Sequence, residues 1–260
     1  MTTYSLSRSS MGVSVELHTG PMLIRSIIGV GMNYAAHAHE QGKAAPERPV
    51  FFTKNTLACC TSDDAIVIPK VCQDRPQVDF EAELGVVLGA APSDLGTGAK
   101  LDDVHGVGGG TRLIKDVPES RALECVLGYC VANDVSARWW QKEGSGGQFY
   151  RGKSFDTFCP ISPVASAAMV KNPQALRLTA TLNGQLMQDS NTSDMIFSVA
   201  RLIAEASRGT TLLPGTLILT GTPSGVGFAR NPAIFMKDGD EIAIEVEGLG
   251  RLVNRVKAEA

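Results

Sequence analysis

The sequence has no long apolar run, no basic cluster and no apolar N-terminal segment, and each absence argues against a class of protein. No stretch is long and apolar enough to span a bilayer. The 24 Lys and Arg residues are balanced by 27 Asp and Glu residues and form no basic run, which argues against nucleic-acid binding. The first 20 residues lack the apolar centre of a secretory signal. We therefore expect a cytoplasmic protein, although the Ser/Thr-rich composition around Arg8 leaves a mitochondrial location open.

The six cysteines form neither a CxxC pair nor the framework of a disulfide-rich domain. Most lie in apolar stretches such as "ECVLGYCVAND", which is typical of reduced, buried thiols. The glycine-rich "LTGTPSGVG" lacks the GK[ST] ending of a phosphate-binding loop. We therefore expect no disulfide scaffold, no P-loop and no cysteine nucleophile.

Many short strands and few helices follow one another, which predicts an α+β fold that is mostly β-structure. The chain has no repeat and no polar linker, so we predict one domain at 21–260 after an N-terminal extension at 1–20. The main element predictions are a strand at 22–31, a long loop at 93–120, a hairpin turn at Asn183–Gly184 and a helix within 192–209.

The stretch "VDFEAELGVV" places several acids on one face of a predicted strand, because side chains alternate along a strand. Asp79, Glu81 and Glu83 share that face at a spacing of about 7 Å, so their charges repel one another. Two acids so spaced can bind one hard cation such as Mg²⁺, and Asp134 in "VANDVSAR" is a candidate third ligand. A solvated strand face is the alternative, and the apolar run that follows favours the metal site.

Three further segments carry candidate chemistry. "NYAAHAHEQG" predicts a short helix on which His37 and Glu40 are neighbours, and a carboxylate beside an imidazole makes it a better base. Lys153, in "YRGKSFDTFCP", is either a surface charge or a cation for an anionic substrate. Thr222 lies in a glycine-rich turn whose N–H groups can receive a carboxylate. An exposed helical pair and a plain β-turn are the alternatives for the first and the third.

In this order and spacing, five segments resemble the fumarylacetoacetate hydrolase family: "GVGMNYAAHAHE", "VDFEAELGVVLG", "GYCVANDVSARWWQ", "GKSFDTFCP" and "LLPGTLILTGTPSGVG". The resemblance runs from about Ile28 to Val253. It implies a mixed β-sandwich roll, a catalytic domain at 21–260, a homodimer and bound Mg²⁺ or Mn²⁺. It also implies roles for eight residues: metal ligands Glu81, Glu83 and Asp134, catalytic residues His37, Glu40 and Lys153, and substrate contacts Gln141 and Thr222.

Three departures from the family pattern concern the substrate and the entrance to the site. Trp139 stands where an acid is common after "SAR", and Met32 stands where a polar residue is frequent before "NY". The loop at 96–116 is longer and richer in glycine than in short family members. We expect the first two to change substrate contacts and the third to alter the entrance or a subunit interface.

The resemblance implies a metal-dependent enzyme that hydrolyses a C–C bond in a small 2-oxo or 1,3-dioxo acid, such as an acylpyruvate. An oxaloacetate-type decarboxylase or keto–enol tautomerase is the alternative reaction on the same residues. A metal-stabilised binding protein without catalysis is the alternative from another class. The intact His37, Glu40 and Lys153 argue against it, because a pure binding protein needs no base to activate water.

Overall fold

A computed structural model describes residues 2–40, 42, 44–95, 100–101 and 111–260 of the 260-residue chain. The helices are α1 Ala35–Glu40, α2 Arg138–Gln141, α3 Phe149–Lys153 and α4 Val199–Ser207. The strands are β1 Thr3–Tyr4, β2 Leu6–Ser9, β3 Gly12–Leu17, β4 Gly20–Leu23, β5 Ser26–Gly31, β6 Val50–Lys54, β7 Cys59–Cys60, β8 Ile66–Ile68, β9 Val78–Asp79, β10 Ala82–Leu88, β11 Lys100–Leu101, β12 Thr111–Arg112, β13 Val126–Asn133, β14 Ser136–Ala137, β15 Cys159–Pro160, β16 Val164–Ser166, β17 Arg177–Leu182, β18 Gln185–Asn191, β19 Thr216–Leu219, β20 Glu241–Val246 and β21 Gly250–Ala258.

Two large sheets enclose the main core. The first has seven strands in the order β1-β16-β13-β10-β19-β5-β6, and the second has five in the order β18-β17-β20-β21-β8. Side chains such as Val86 of the first sheet and Leu178 and Ile242 of the second are buried in one cluster. The short helices lie outside these sheets, so the α+β, mostly β prediction is confirmed.

Strand β10 is buried on both of its faces, which explains its nearly continuous apolar sequence. Leu84 and Val86 belong to the main core, whereas Val87 packs in a second cluster with Val13 and Val15. Alternation along the strand therefore separates two cores. Glu83 lies on the face of Val87, so its carboxylate enters a buried region rather than solvent.

The first 20 residues pack against the rest of the protein. Strand β1 pairs with β16 at the edge of the seven-stranded sheet. Strands β2, β3 and β4 form a three-stranded sheet, and Val13 and Val15 of β3 are buried in the second core. The division at residue 20 stays a prediction.

The strand predicted at 22–31 is wrong, because the chain forms β4 and β5 with a break at Ile24 and Arg25. Strand β4 pairs with β3, whereas β5 pairs with β19 in the large sheet. The pairing partner changes at these two residues. Ile24 N–H still donates to the carbonyl of Val13 in β3, whereas Arg25 N–H donates to that of Gly215, which precedes β19. Both halves are apolar enough for a strand, and only the tertiary pairing separates them.

Other element predictions have mixed outcomes. The hairpin is confirmed, with Asn183 and Gly184 both at positive φ between β17 and β18. The helix predicted within 192–209 is confirmed as α4, which begins at Val199. Ser198 is its N-cap and accepts a hydrogen bond from Arg201 N–H. The loop predicted at 93–120 falls partly on 96–99 and 102–110, outside the described residues; its described ends include the pair β11–β12. Within the described ranges no helix has the length and apolarity to cross a membrane.

Candidate active site

A cavity of about 560 Å³ opens beside the end of β10. We use the name polar lining for six of its residues: His37, Glu81, Arg138, Gln141, Lys153 and Thr222. Lys142 and Glu143 also line the cavity. Its apolar lining is contributed by Val30, Met32, Phe52, Phe149 and Phe228. The cavity thus combines charged groups with an extensive apolar surface, as small-molecule sites generally do.

The predicted metal acids Glu81, Glu83 and Asp134 lie together. Each offers a carboxylate oxygen, and the three oxygens lie within 4.8 Å of one another. The pairing of β10 with β13 explains this meeting, because Ala82 lies opposite Asn133 and Asp134 N–H donates to the carbonyl of Glu81 at 3.0 Å. All three residues are buried, and only Glu81 lines the cavity itself. The solvated strand face considered as the alternative is therefore wrong.

Two buried lysines hold the acid cluster. Lys153 Nζ lies 2.6 Å from Glu81 Oε2 and 2.5 Å from Asp134 Oδ2. Lys54 Nζ binds the other carboxylate oxygen of Asp134 and donates to the carbonyl of Val135 at 3.2 Å. Burial alone would lower the pKa of Lys153, but the charges of Asp134 and Glu81 raise it above its usual value. Lys153 is therefore a fixed cation and not a surface charge.

The acids of the cluster differ in their electrostatics. Burial, together with the charges of Asp134 and Glu81, raises the pKa of Glu83 well above its usual value. Burial also acts to raise the pKa of Glu81, but Lys153 and Arg138 lower it below its usual value. The proximity of three carboxylates therefore favours added positive charge near Glu83.

A divalent cation fits this donor set. Mg²⁺ binds oxygen ligands at about 2.1 Å in octahedral geometry, so two of its ligands lie about 3 Å apart when adjacent and about 4.2 Å apart when opposite. The three carboxylate oxygens lie within 4.8 Å of one another, which is close to that range. Hard carboxylate oxygens without cysteine or histidine are the donors that Mg²⁺ and Mn²⁺ prefer.

Arg138 connects the acid cluster to the wall of the cavity. Its Nε and Nη2 donate to Asp79 Oδ2 at 2.9 and 2.6 Å, while its Nη1 donates to Glu81 Oε1 at 2.7 Å and to Gln141 Oε1 at 3.0 Å. Asp79 also accepts from the backbone N–H groups of Gly227 and Phe228 at 2.9 and 3.0 Å. Asp79 thus joins Arg138 to the loop that carries Phe228.

The predicted pair on α1 is formed. His37 Nδ1 lies 2.6 Å from Glu40 Oε1, and Glu40 Oε2 accepts from Gly225 N–H at 3.0 Å. His37 is 4% exposed and lines the cavity, whereas His39 on the same helix is exposed. The exposed-pair alternative is therefore wrong. If Nδ1 carries the proton shared with Glu40, Nε2 holds the lone pair of the imidazole.

The glycine-rich turn differs from the expectation in its donors. Three of its backbone N–H groups are used by the protein itself: Gly221 donates to Glu83 at 2.7 Å, Gly225 to Glu40 and Gly227 to Asp79. Thr222 Oγ1 accepts from Gln188 Nε2 at 2.8 Å, so the hydroxyl proton of Thr222 can still be donated. The turn therefore donates to carboxylates as expected, but these carboxylates belong to the protein and not to a substrate.

Three buried residues of this network were not assigned from the sequence: Lys54, Asp79 and Arg138. Arg138 belongs to the quoted "SAR" segment, and Lys54 ends the apolar segment "PVFFTK", which is an unusual place for a buried charge. Of the two departures that concern substrate contacts, Met32 lines the cavity at φ 55°, whereas Trp139 does not line it and packs edge-on against Trp140. Of these two residues, only Met32 can therefore act directly at the cavity surface. The third departure, the loop at 96–116, lies partly outside the described residues.

The sequence model of the fumarylacetoacetate hydrolase C-terminal domain matches residues 26–108 and 110–257. The chain belongs to the fumarylacetoacetate hydrolase family. This family includes hydrolases, isomerases and tautomerases, so the chain is an enzyme of that kind.

Relatives of the fumarylacetoacetate hydrolase family differ in their reactions. A mitochondrial oxaloacetate tautomerase of Bos taurus is 40% identical over 231 residues, which is 88% of this chain and 66% of the relative. Fumarylpyruvate hydrolase from Pseudomonas aeruginosa, whose structure contains Mn²⁺ and pyruvate, is 29% identical in sequence. The two structures superpose with a TM-score of 0.77 over 96% of this chain and 98% of the hydrolase chain. A 5-carboxymethyl-2-hydroxymuconate delta-isomerase from Mycobacterium smegmatis is 34% identical, with a TM-score of 0.74 and coverage of 99% and 94%. The β-sandwich roll implied by the resemblance is confirmed.

Proposed function

We propose that this protein is a metal-dependent hydrolase that cleaves a C–C bond in a small 2-oxo or 1,3-dioxo acid of the acylpyruvate type. The observation that carries this proposal is that His37, whose Nδ1 is held by Glu40, lines the same cavity as Glu81 and Lys153. A base that can activate water therefore lies with the acid cluster in one site.

Glu81, Glu83 and Asp134 would hold the Mg²⁺ or Mn²⁺ ion. When bound, such an ion supplies Lewis-acid stabilisation for the negative charge that develops on the oxo acid. The charge balance of the site supports an anionic substrate. With all groups ionised, four buried carboxylates (Asp79 and the three metal acids) face three buried cations, Lys54, Arg138 and Lys153. A divalent ion changes the net charge from −1 to +1, and a monoanionic substrate then neutralises the site.

In the hydrolysis, His37 transfers the protons and Glu40 supports it. His37 Nε2 removes a proton from water, whose oxygen adds to the carbonyl carbon remote from the carboxylate. The C–C bond then breaks, its electron pair forms the enolate of the 2-oxo acid, and the proton held by His37 returns to that enolate carbon. The products are a carboxylic acid and a 2-oxo acid. Glu40 orients the imidazole and stabilises its charged form.

The remaining residues bind and orient the substrate. Lysine has three N–H donors, and Lys153 uses two on Glu81 and Asp134, so the third is available for an anionic substrate oxygen. Gln141 accepts from Arg138 through Oε1, which leaves its amide NH₂ to donate into the cavity. Thr222 can donate its hydroxyl to the substrate carboxylate.

Keto–enol tautomerisation of oxaloacetate is the second candidate. The 40% identity to a mitochondrial oxaloacetate tautomerase favours it, since the fumarylpyruvate hydrolase is 29% identical. In this reaction His37 would move a proton between carbon and oxygen, and no bond between carbons would break. Decarboxylation of oxaloacetate needs no nucleophilic water and would depend less on His37.

The deciding experiment measures acylpyruvate cleavage, oxaloacetate ketonisation and CO₂ release, each with Mg²⁺ and with chelator. His37→Ala should reduce acylpyruvate cleavage by about 10²–10⁴-fold, because a general base is lost. Glu40→Gln should act more mildly, since the imidazole remains. His39→Ala is the matched control, because His39 is exposed on the same helix, and it should leave every rate unchanged. Ketonisation without any acylpyruvate cleavage would replace the hydrolase proposal with the tautomerase.

The homodimer implied by the family resemblance remains part of the proposal. Light scattering of the purified protein tests it directly, and a monomer at micromolar concentration would contradict it.

A further inference from the structure

The cavity is larger than the headgroup of the proposed substrate requires. At about 30 Å³ for each water-sized group, 560 Å³ accommodates roughly 18 non-hydrogen atoms, whereas the smallest acylpyruvate has about nine. The polar lining can engage the oxo-acid headgroup. The cavity therefore has room for a substrate that extends well beyond that headgroup.

The apolar lining indicates what this part is made of. Phe52 and Phe149 form an edge-to-face pair with ring centroids 5.4 Å apart. Phe228, Val30 and Met32 extend the apolar surface around the same cavity. An apolar group that enters such a space leaves water and gains contacts with these side chains, at about 0.8 kcal/mol for each buried CH₂.

The charges that line the cavity outside the acid cluster argue against a second carboxylate on the substrate. Lys142 and Glu143 both line the cavity, so together they add no net formal charge that would favour an anion. Lys142 Nζ also lies 3.3 Å from the centre of the Phe228 ring. A tail that ends in a carboxylate would lose hydration among the apolar side chains, and the charge of Glu143 offsets the attraction of Lys142.

We propose that the cavity selects an oxo acid whose tail is uncharged, apolar and several carbons long, in preference to short or dicarboxylic substrates. This inference rests on the proposed function for the headgroup, and it adds the chemical class of the tail. For a hydrolase the substrate is a 2,4-dioxo acid with a medium-chain or aromatic acyl group. The products are then a medium-chain or aromatic carboxylic acid and pyruvate.

The test measures binding of stable 2-oxo acids by calorimetry in the presence of Mg²⁺, so that it does not depend on turnover. The series is 2-oxobutyrate, 2-oxohexanoate and 2-oxooctanoate, with 2-oxoadipate as the analogue of 2-oxohexanoate that carries a terminal carboxylate. Affinity should rise at least about tenfold for each pair of added methylenes. 2-Oxoadipate should bind at least about tenfold more weakly than 2-oxohexanoate.

Variants locate the effect in the apolar lining. Phe149→Ala should reduce the gain to less than about threefold for each pair of methylenes. Tyr150→Ala is the matched control, because Tyr150 neighbours Phe149 on α3, is 52% exposed and does not line the cavity. If Phe149→Ala fails to fold, as judged by thermal melting, Glu143→Gln provides the second test. It should narrow the difference between 2-oxoadipate and 2-oxohexanoate severalfold.

The outcomes separate the two proposals. Affinity that is independent of chain length, or tighter binding of 2-oxoadipate, overturns the inference about the tail and leaves the proposed function standing. Absence of binding by every 2-oxo acid, with Mg²⁺ present, overturns the proposed function and this inference together.

Discussion

Replacing Asp79 by asparagine removes one charge from the centre of the buried network. Asp79 Oδ1 accepts from the N–H groups of Phe80 and Gly227, and Oδ2 accepts from Arg138 and Phe228 N–H. Both oxygens therefore face donors. In Asp79→Asn the amide NH₂ must point at N–H groups in either orientation, so the substitution breaks hydrogen bonds as well as the ion pair.

The expected cost follows from burial and partners. The side chains of Arg138 and Asp79 are 7% and 0% exposed. Removal of one partner of a buried ion pair typically costs about 3–5 kcal/mol. Arg138 keeps its contact with Glu81, so we expect the lower end of that range, about 3 kcal/mol. In a chain of this size, that loss corresponds to a fall in melting temperature of about 6–12 °C.

The assay is chemical denaturation at pH 7, with Asp189→Asn as the matched control. Asp189 also binds an arginine through two hydrogen bonds, both of 2.8 Å to Arg177, but these side chains are 40% and 62% exposed. An exposed pair of this geometry contributes less than about 1 kcal/mol. The two variants thus compare the same chemistry at different burial.

Equal losses of stability in the two variants would refute the reasoning, because burial would then not control the cost. A loss below about 1 kcal/mol in Asp79→Asn would also refute it. The KM for the substrate provides a second readout. Because Arg138 positions Gln141, Asp79→Asn should raise KM more than Asp189→Asn does.

Two further predictions concern the metal and the glycine-rich loop. Mg²⁺ at 100 times its Kd should stabilise the protein by about 2.7 kcal/mol, measured as a rise in melting temperature. A variant with both Glu81→Gln and Glu83→Gln should show no such rise. If the variant shows the same rise as the wild type, the metal site is contradicted. Gly227→Ala should destabilise by about 3 kcal/mol or more, because a Cβ there would lie 1.7 Å from the carbonyl oxygen of Ile234. Gly248→Ala is the control, because a Cβ there meets no atom within 4 Å and only the φ of 75° opposes the substitution. It should destabilise the protein by about 1–2 kcal/mol. Equal losses of stability in the two variants would contradict the steric explanation.

Local patterns in the sequence predicted a substantial part of the fold and the site. The alternation of "VDFEAELGVV" places Phe80, Ala82 and Leu84 together on the face opposite the acids, and all three lie in the main core. Asn-Gly predicted the hairpin because both residues tolerate positive φ. The spacing of His37 and Glu40 predicted their contact, because residues three apart are neighbours on a helix. In each case the interaction lies within one element or one turn.

Tertiary structure decided the features that depend on partners distant in the chain. Whether 22–31 is one strand or two depends on the partners β3 and β19, which the local sequence does not specify. The side chains of Lys54 and Asp134 are 80 residues apart in the chain, and those of Asp79 and Arg138 are 59 apart. Composition shows that these charges exist, but a buried charge is tolerated only where folding brings its counter-charge to it. The sequence alone therefore determined which residues could carry the chemistry, and the tertiary structure decided which of them are neutralised and which remain to face a ligand.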